Sequence, residues 1–261
     1  MRKKEEIITK LELIAAEAWP AKTMEPFGEW ILRANDGISK RANSLLAIGD
    51  IPTDSWLSIY ENFYKNYEIE PCVYISEVTP KEVVEKLFAH DYKAITKMYI
   101  LINDVNTVLK QIKRNPTFNV TFEPELTEEW LSNFLKFGKH DELTREAYRT
   151  IFSKIKLQKV FVTLWLEGLP VSIATIVVDQ GWGYICNVVV DEAYRRRGIA
   201  SQLFFHLATW ALQHNAFNLF MQVLQHNEPA LQFYNKLKFK RLSESYYLMK
   251  INKDEKNLTI Y

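Results

Sequence analysis

The sequence has few cysteines and glycines, and it has no long uninterrupted hydrophobic run. Among 261 residues there are only 2 cysteines and 8 glycines. Two cysteines exclude a disulfide framework, and since Cys72 and Cys186 each lie in an apolar run, we expect both to pack in the core. Charged residues interrupt every apolar run well before the about 20 residues that a membrane-spanning helix needs, so we expect no membrane partner.

An excess of charge of one sign is also absent. Lysine and arginine total 33 against 32 aspartate and glutamate, a formal net charge of +1. This balance gives no reason to expect nucleic acid as a partner, and no His, Cys and Asp spacing predicts a metal site. The first six residues lack the apolar core of a secretory signal, so we predict a cytoplasmic protein.

What the sequence does contain is a strand, a basic turn and a helix in close succession. Val188–Val190 reads as the end of a buried strand, and Arg195–Arg197 precedes the small residues Gly198 and Ala200 at the start of an amphipathic run. A helix N-terminus offers unpaired N–H groups and a partial positive charge to phosphate oxygens. The segment therefore predicts a pyrophosphate-binding site.

Two motifs, in order, resemble those of one enzyme superfamily. Arg195-x-x-Gly198-x-Ala200 is similar to the first acetyl-CoA signature of the GCN5-related N-acetyltransferases (GNAT), and Asn227 with Tyr234 fits the second. The resemblance implies an α/β (α+β) GNAT fold, whose mixed central sheet carries a splayed parallel strand pair and is flanked by helices. It assigns the splayed pair to 182–190 and 218–224, and a hairpin around Glu167-Gly168 precedes them.

The first half of the chain resembles the second without its chemistry. We predict a degenerate GNAT-like domain over 1–115 and an intact catalytic domain over 116–261, joined by a linker-like stretch at 103–119. Where the second half has its arginines, the first has 49–54, whose aspartates would repel a diphosphate. The expected elements of the first half include a strand over 41–48 and the strand 72–76.

The resemblance also implies a reaction in which acetyl-CoA donates an acetyl group to a primary amine of a small molecule or peptide. A backbone N–H near Val188 would stabilise the oxyanion, and Tyr234 would protonate the leaving thiolate. Glu167, Tyr184 and His226 are all open as the general base. The expected cofactor-binding residues are Val188, Val189, Val190, Arg195, Arg196, Arg197, Gly198, Ile199, Ala200, Ser201, Asn227 and Tyr234.

Several alternatives remain open at this level. The protein could be a non-catalytic acyl-CoA-binding or sensing module, it could transfer a longer acyl group, and it could be a monomer or a homodimer. Asn227 has a second interpretation as the N-cap of the helix that begins at Glu228. Arg33 and the segment 39–44 could line the acceptor site or serve a strand-edge structural role.

Overall fold

The computed structural model describes residues 2–250. The helices are α1 Arg2–Glu17, α2 Trp56–Asn66, α3 Lys81–Ala89, α4 Val105–Lys110, α5 Glu128–Gly138, α6 Arg145–Ser153, α7 Ile199–Gln213 and α8 Glu228–Lys236. The strands are β1 Thr23–Phe27, β2 Trp30–Ala34, β3 Leu45–Leu46, β4 Cys72–Ser76, β5 Tyr92–Asp104, β6 Phe118–Glu123, β7 Gln158–Leu166, β8 Leu169–Asp179, β9 Trp182–Val190, β10 Asn218–Leu224 and β11 Lys240–Lys250. Within 2–250, no helix has the length and hydrophobicity to cross a membrane.

The described chain forms two compact units that are not contiguous in sequence. Unit 1 contains residues 2–99, 224–227 and 242–250, and unit 2 contains Ile100–Val223 and Glu228–Arg241. β5 contributes its first part to unit 1 and its last part to unit 2, and most of β11 returns to unit 1.

Unit 1 is built on the strand order β1-β2-β3-β4-β11, followed by the first part of β5. β3 and β4 run parallel, whereas β11 runs antiparallel to β4 and pairs Tyr247 with Tyr74. Burying large aromatic side chains removes much apolar surface from water, so they dominate the stability of such a core. Trp30, Trp56 and Tyr60 are the centre of this core and are almost fully buried.

Unit 2 has the strand order β10-β9-β8-β7-β6, with the last part of β5 on the other side of β10. β6 to β9 are antiparallel neighbours, and β9 and β10 are parallel. The predicted apolar stripe of α7 is buried, including Leu203, Leu207 and Ala211. The mixed α/β fold expected from the sequence is confirmed, including the parallel pair that carries the site.

Two predictions of local structure fail for identifiable reasons. The strand expected over 41–48 is instead a 3-10 turn at Lys40–Ala42 followed by the two-residue β3. Asn43 causes the difference, because its side-chain amide bonds five backbone groups of the segment 35–39 and replaces the hydrogen bonds of a strand ladder. The stretch expected to be a linker contains α4, capped by Asp104, and β6 begins within it at Phe118.

Candidate active site

The opening between β9 and β10 is the central feature of the site in unit 2. The two strands pair at only three positions, the last of which joins Tyr184 to Phe220. β9 continues to Val190 and β10 to Leu224 without further pairing between them. The edge of β9 that faces β10 therefore has backbone groups over 185–190 that no strand occupies, and an extended ligand can bond to them.

A bulge lies inside this unpaired part of β9. On the opposite edge, β8 pairs Ile173 with Val189 and Thr175 with Cys186, so Asn187 and Val188 lie together opposite Ala174. Asn187 has a φ of 56° and donates its side-chain amide to Thr175 Oγ1 at 3.1 Å. A bulge re-aims the backbone and frees one residue from the ladder, so the amides near Val188 are released where the strands part.

The turn that follows β9 is ordered by its own side chains. Asp191 accepts the N–H of Ala193 at 3.0 Å and ends the strand. Arg195 folds back and donates its Nε to the carbonyl of Val190 at 3.3 Å. The guanidinium of Arg197 lies 5.5 Å from the ring centroid of Tyr194, which is a cation–π distance.

Gly198 is the point at which this turn becomes α7. Its φ of 78° and ψ of 1° are left-handed, a conformation that costs glycine little, and a Cβ built there meets nothing within 4 Å. Within residues 2–250, the N–H groups of Ile199, Ala200 and Ser201 have no hydrogen-bond acceptor. Three donors therefore point out of a helix N-terminus into open space, which is the arrangement that binds phosphate oxygens.

The charge around this helix start is positive. Arg195, Arg196 and Arg197 are exposed, and none forms a salt bridge with any residue over 2–250. The neighbouring carboxylate of Glu192 is bound by Lys139 at 2.6 Å, and that contact lowers the pKa of Glu192. Since Lys139 neutralises Glu192, the arginines remain available to an anionic ligand.

Tyr234, the seventh residue of α8, is 8% exposed and lies among Phe204 and Phe239, with ring centroids 5.6 and 6.0 Å away. Burial raises the pKa of Tyr234 to about 12, so the phenol stays protonated at neutral pH. Its hydroxyl has no hydrogen-bond partner among residues 2–250. A protonated donor of this kind is suited to a ligand atom.

The three candidate bases lie in different places. Tyr184 is fully buried where the strand pairing ends; it stacks on Phe220 at 4.6 Å and donates its hydroxyl to Gln222 at 3.2 Å. Glu167 is exposed in the hairpin turn between β7 and β8, near the end of β9 that leads into the basic turn. His226 is exposed in the turn after β10. Only Tyr184 is located at the opening within unit 2.

Asn227 directly precedes α8, and its backbone N–H donates to the carbonyl of Leu224 at 3.0 Å. The contacts of the chain assign Asn227 to unit 1 and Tyr234 to unit 2. Arg33 and the segment 39–44 also lie in unit 1. Unit 2 therefore contains the basic turn, the bulge and Tyr234, and Tyr234 packs against Phe204 of the helix that the basic turn begins.

Sequence reasoning missed three residues that shape the site. Asn187 makes the bulge, Gln222 bonds Tyr184, and Gln202 of α7 is buried and bonds both Lys113 O and Asn115 N. A polar residue within an apolar strand or helix was the only available signal. Among the described residues, no group of His, Cys, Asp or Glu is arranged to hold a metal ion.

Comparison with known proteins supports the same interpretation. Residues 6–248 match the family described as "Probable histone acetyltransferase Rv0428c C-terminal". A Bacillus subtilis (strain 168) protein named "Uncharacterized N-acetyltransferase YobR" is 29% identical over 243 residues, which cover 93% of this chain and 98% of that protein.

Solved structures share the fold at low sequence identity. A GCN5-related N-acetyltransferase from Kribbella flavida has a TM-score of 0.70 at 13% identity and covers 92% of this chain and 95% of its own. A tandem GNAT protein from the clavulanic acid biosynthesis pathway has a TM-score of 0.60 at 9% identity and covers 74% and 68%. With the family match spanning nearly the whole chain, the protein belongs to the Rv0428c C-terminal family of the GNAT superfamily and is an acetyltransferase.

Proposed function

We propose that the protein transfers an acetyl group from acetyl-CoA to a primary amine of a small molecule or a peptide. The observation that carries this proposal is the helix start at Gly198, where three unpaired backbone N–H groups adjoin three exposed arginines. The diphosphate of coenzyme A binds there through Gly198, Ile199, Ala200 and Ser201. The pantetheine arm then lies along the unpaired edge of β9 and bonds the backbone of Val188, Val189 and Val190.

The bulge at Asn187 supports an oxyanion role for Val188. Because the bulge takes Val188 out of the ladder with β8, its amide is free to bond the thioester oxygen as negative charge develops there. In other enzymes one such donor lowers the barrier by roughly 3 kcal/mol. The amine attacks the thioester carbon directly, the C–N bond forms, and the C–S bond breaks to release the thiolate.

Tyr234 is the proposed proton donor to that thiolate. With a pKa of about 12, its phenol is protonated, but full transfer to an ordinary thiolate, whose acid has a pKa near 8.5, is uphill. We therefore assign the main effect to a hydrogen bond that strengthens as the C–S bond breaks. Net proton transfer follows while the thiolate is still desolvated, because burial raises the basicity of the thiolate as well.

The amine must lose protons before and after its attack. Tyr184 is the best placed of the three candidate bases, because it lies at the opening and its hydroxyl already bonds Gln222. The phenol oxygen of Tyr184 can accept a hydrogen bond from the amine while its hydroxyl stays bonded to Gln222, and the proton that the amine loses leaves to solvent water. Asn227 is proposed to hold the pantetheine arm or to cap α8.

The division of the chain into a degenerate copy, 1–115, and an intact copy, 116–261, is also a proposal. α3 and α8 each have nine residues, and Leu87 holds in α3 the seventh position that Tyr234 holds in α8. The segment 49–54 leads into α2 without any cation. The first copy therefore lacks both the phosphate-binding charge and the hydroxyl.

Titration calorimetry with acetyl-CoA tests the proposal most directly. We expect saturable binding, and we expect Arg197→Glu to weaken acetyl-CoA at least tenfold while it weakens S-acetylpantetheine much less, because the fragment lacks the diphosphate. Lys156→Glu makes the same charge change at an exposed cation of unit 2 just before β7, at the end of β9 away from the basic turn, and should leave affinity unchanged. Absence of acetyl-CoA binding by the folded wild-type protein would refute the proposal.

A further inference from the structure

A buried arginine in unit 1 has no counter-charge. Arg33 of β2 is 3% exposed, and it forms no salt bridge with any residue over 2–250. An isolated buried cation is costly, and proteins almost always pair such a group. The unpaired state of Arg33 therefore requires an explanation beyond packing.

The guanidinium is held firmly from one side. Its Nε donates to the carbonyl of Ser44 at 3.0 Å, and Nη2 donates to Ser44 Oγ at 2.8 Å. The backbone of Arg33 is also fixed, because the hydroxyl of Tyr64 donates to its carbonyl at 3.0 Å. Of five guanidinium N–H groups, these contacts use two. On the edge formed by Nη1 and Nη2, each nitrogen keeps one N–H that bonds to no residue within 2–250.

The loop that supplies Ser44 is fixed by hydrogen bonds from the side chain of Asn43. The Asn43 amide accepts from Asn35 N at 2.6 Å and donates to Ile38 O at 2.7 Å. Ser39 has φ 68° and ψ 118°, a conformation that non-glycine residues rarely adopt. Strain that the surrounding contacts maintain is concentrated at binding sites, which points to a functional loop.

The surroundings of the guanidinium are aromatic and positive. Tyr64, Tyr74 and Tyr247, which are neutral phenols at neutral pH, and the guanidinium of Arg41 are the titratable groups near Arg33, and burial lowers the pKa of Arg33. Glu12 is the one buried acid among residues 2–250; it accepts the hydroxyl of Tyr74 at 3.0 Å and is not among the groups that act on Arg33. A single negative charge with two coplanar oxygens would complete this arrangement.

We propose that unit 1 contains a binding site for the carboxylate of a small molecule, held in bidentate fashion by Nη1 and Nη2 of Arg33. A carboxylate matches both the planar fork and the single charge of one guanidinium. The tyrosine rings favour a ligand with an apolar body next to the carboxylate. The residues that form this site belong to unit 1, and the argument for it does not depend on the coenzyme A chemistry proposed for unit 2.

Thermal unfolding in graded salts tests this site without any need for activity. We expect sodium acetate to raise Tm saturably, by about 3 °C or more at 200 mM, relative to sodium chloride at equal ionic strength. Butyrate should reach half-saturation at a lower concentration than acetate. Each series is repeated with saturating coenzyme A, and the acetate response should persist, since Arg33 and Ser44 both belong to unit 1 and the proposed coenzyme A contacts at 198–201 belong to unit 2.

Variants connect the response to Arg33. Arg33→Gln should abolish the acetate-specific rise, and Arg33→Lys, which keeps the charge but loses the fork, should raise the half-saturating concentration at least tenfold. Ser44→Ala should raise it severalfold because the guanidinium is less firmly oriented. Arg149→Gln, at a half-exposed arginine of α6, is the matched control and should respond like wild type.

Three outcomes would overturn the proposal. These are identical curves in acetate and chloride, an acetate response that survives in Arg33→Lys with unchanged half-saturation, and a larger stabilisation by inorganic phosphate that depends on Arg33. The first would show a structural arginine only, and the third would show a phosphate site. If Arg33→Gln fails to fold, Arg33→Lys and Ser44→Ala still decide the question.

Discussion

At the residue scale, the site depends on a few backbone positions that only certain residues can occupy. Gly198 turns the chain into α7 in a left-handed conformation, and Asn187 has a positive φ in the middle of an apolar strand. The glycine could be recognised from its place after the arginines. The bulge could not, because an asparagine in a strand has several structural uses.

A branched side chain at Gly198 should abolish acetyl-CoA binding while the protein stays folded. We expect Gly198→Val to abolish acetyl-CoA binding, because its methyl groups would occupy the space where the diphosphate meets the helix. Gly181→Val is a matched control, since Gly181 has a φ of +80° and also meets nothing within 4 Å. Both variants should lose about 1–3 kcal/mol of stability, as measured by urea unfolding. Equal acetyl-CoA affinities in calorimetry would contradict the assignment.

Removing the hydroxyl of Tyr234 should reduce turnover and spare affinity. We expect Tyr234→Phe to lower kcat about 10²-fold or more while the Kd for acetyl-CoA changes less than threefold. Tyr148→Phe is the control, because Tyr148 is equally buried at 8% and lies in α6 of the same unit. A drop in kcat common to both variants would point to packing, not to acid catalysis.

Buried histidines should make the protein sensitive to acid. Burial and the nearby Arg114 lower the pKa of His206, and burial lowers that of His140. The unfolded chain then binds more protons below pH 6.5, so stability is complete above that pH and falls as the pH drops below it. We expect His206→Leu to reduce the loss between pH 7.5 and 5.5 in urea unfolding. The exposed His90→Leu should leave that loss unchanged.

At the element scale, hydrophobic pattern and turn residues predicted most of the elements well. The bounds of β4, β9 and β10 agree with expectation because each is an apolar run with clear ends. The basic turn and the strands on either side of the opening could be placed for the same reason. The segment 41–48 was misjudged, because Asn43 bonds the backbone locally and prevents a regular strand.

The pairing of β11 with β4 of unit 1 could not be predicted, because no local feature of the sequence specifies the partner of a strand. It has a measurable energetic consequence. Leu248 is fully buried in the core of unit 1, so Leu248→Ala should cost about 3 kcal/mol in urea unfolding. Glu244→Ala, at an exposed position on the same strand, should cost much less. Equal losses would mean that β11 contributes little to that core.

At the scale of the whole molecule, the chain passes between its two units more than once. Unit 1 needs β11, whose part in unit 1 begins at residue 242, more than 140 residues after the long N-terminal segment of that unit ends at residue 99. A cut in the exposed stretch around Arg114 should therefore leave the protein folded, because it severs the chain without removing any strand. Calorimetry of the cleaved protein should still show cooperative unfolding.

Fragments 1–114 and 115–261 expressed separately should lack cooperative unfolding in the same calorimetric measurement. A cooperatively folded 1–114 fragment would contradict the role of β11.

The late position of β11 also affects how the protein is made. While the ribosome is still synthesising the second half, β4, whose residues are all buried in the folded protein, has one edge that lacks its permanent neighbour. Exposed strand edges of this kind attract other chains, and contacts between distant parts of a sequence form slowly. Unit 1 can complete its fold only after β11 has been synthesised, so we expect newly made chains to depend on chaperones until that point.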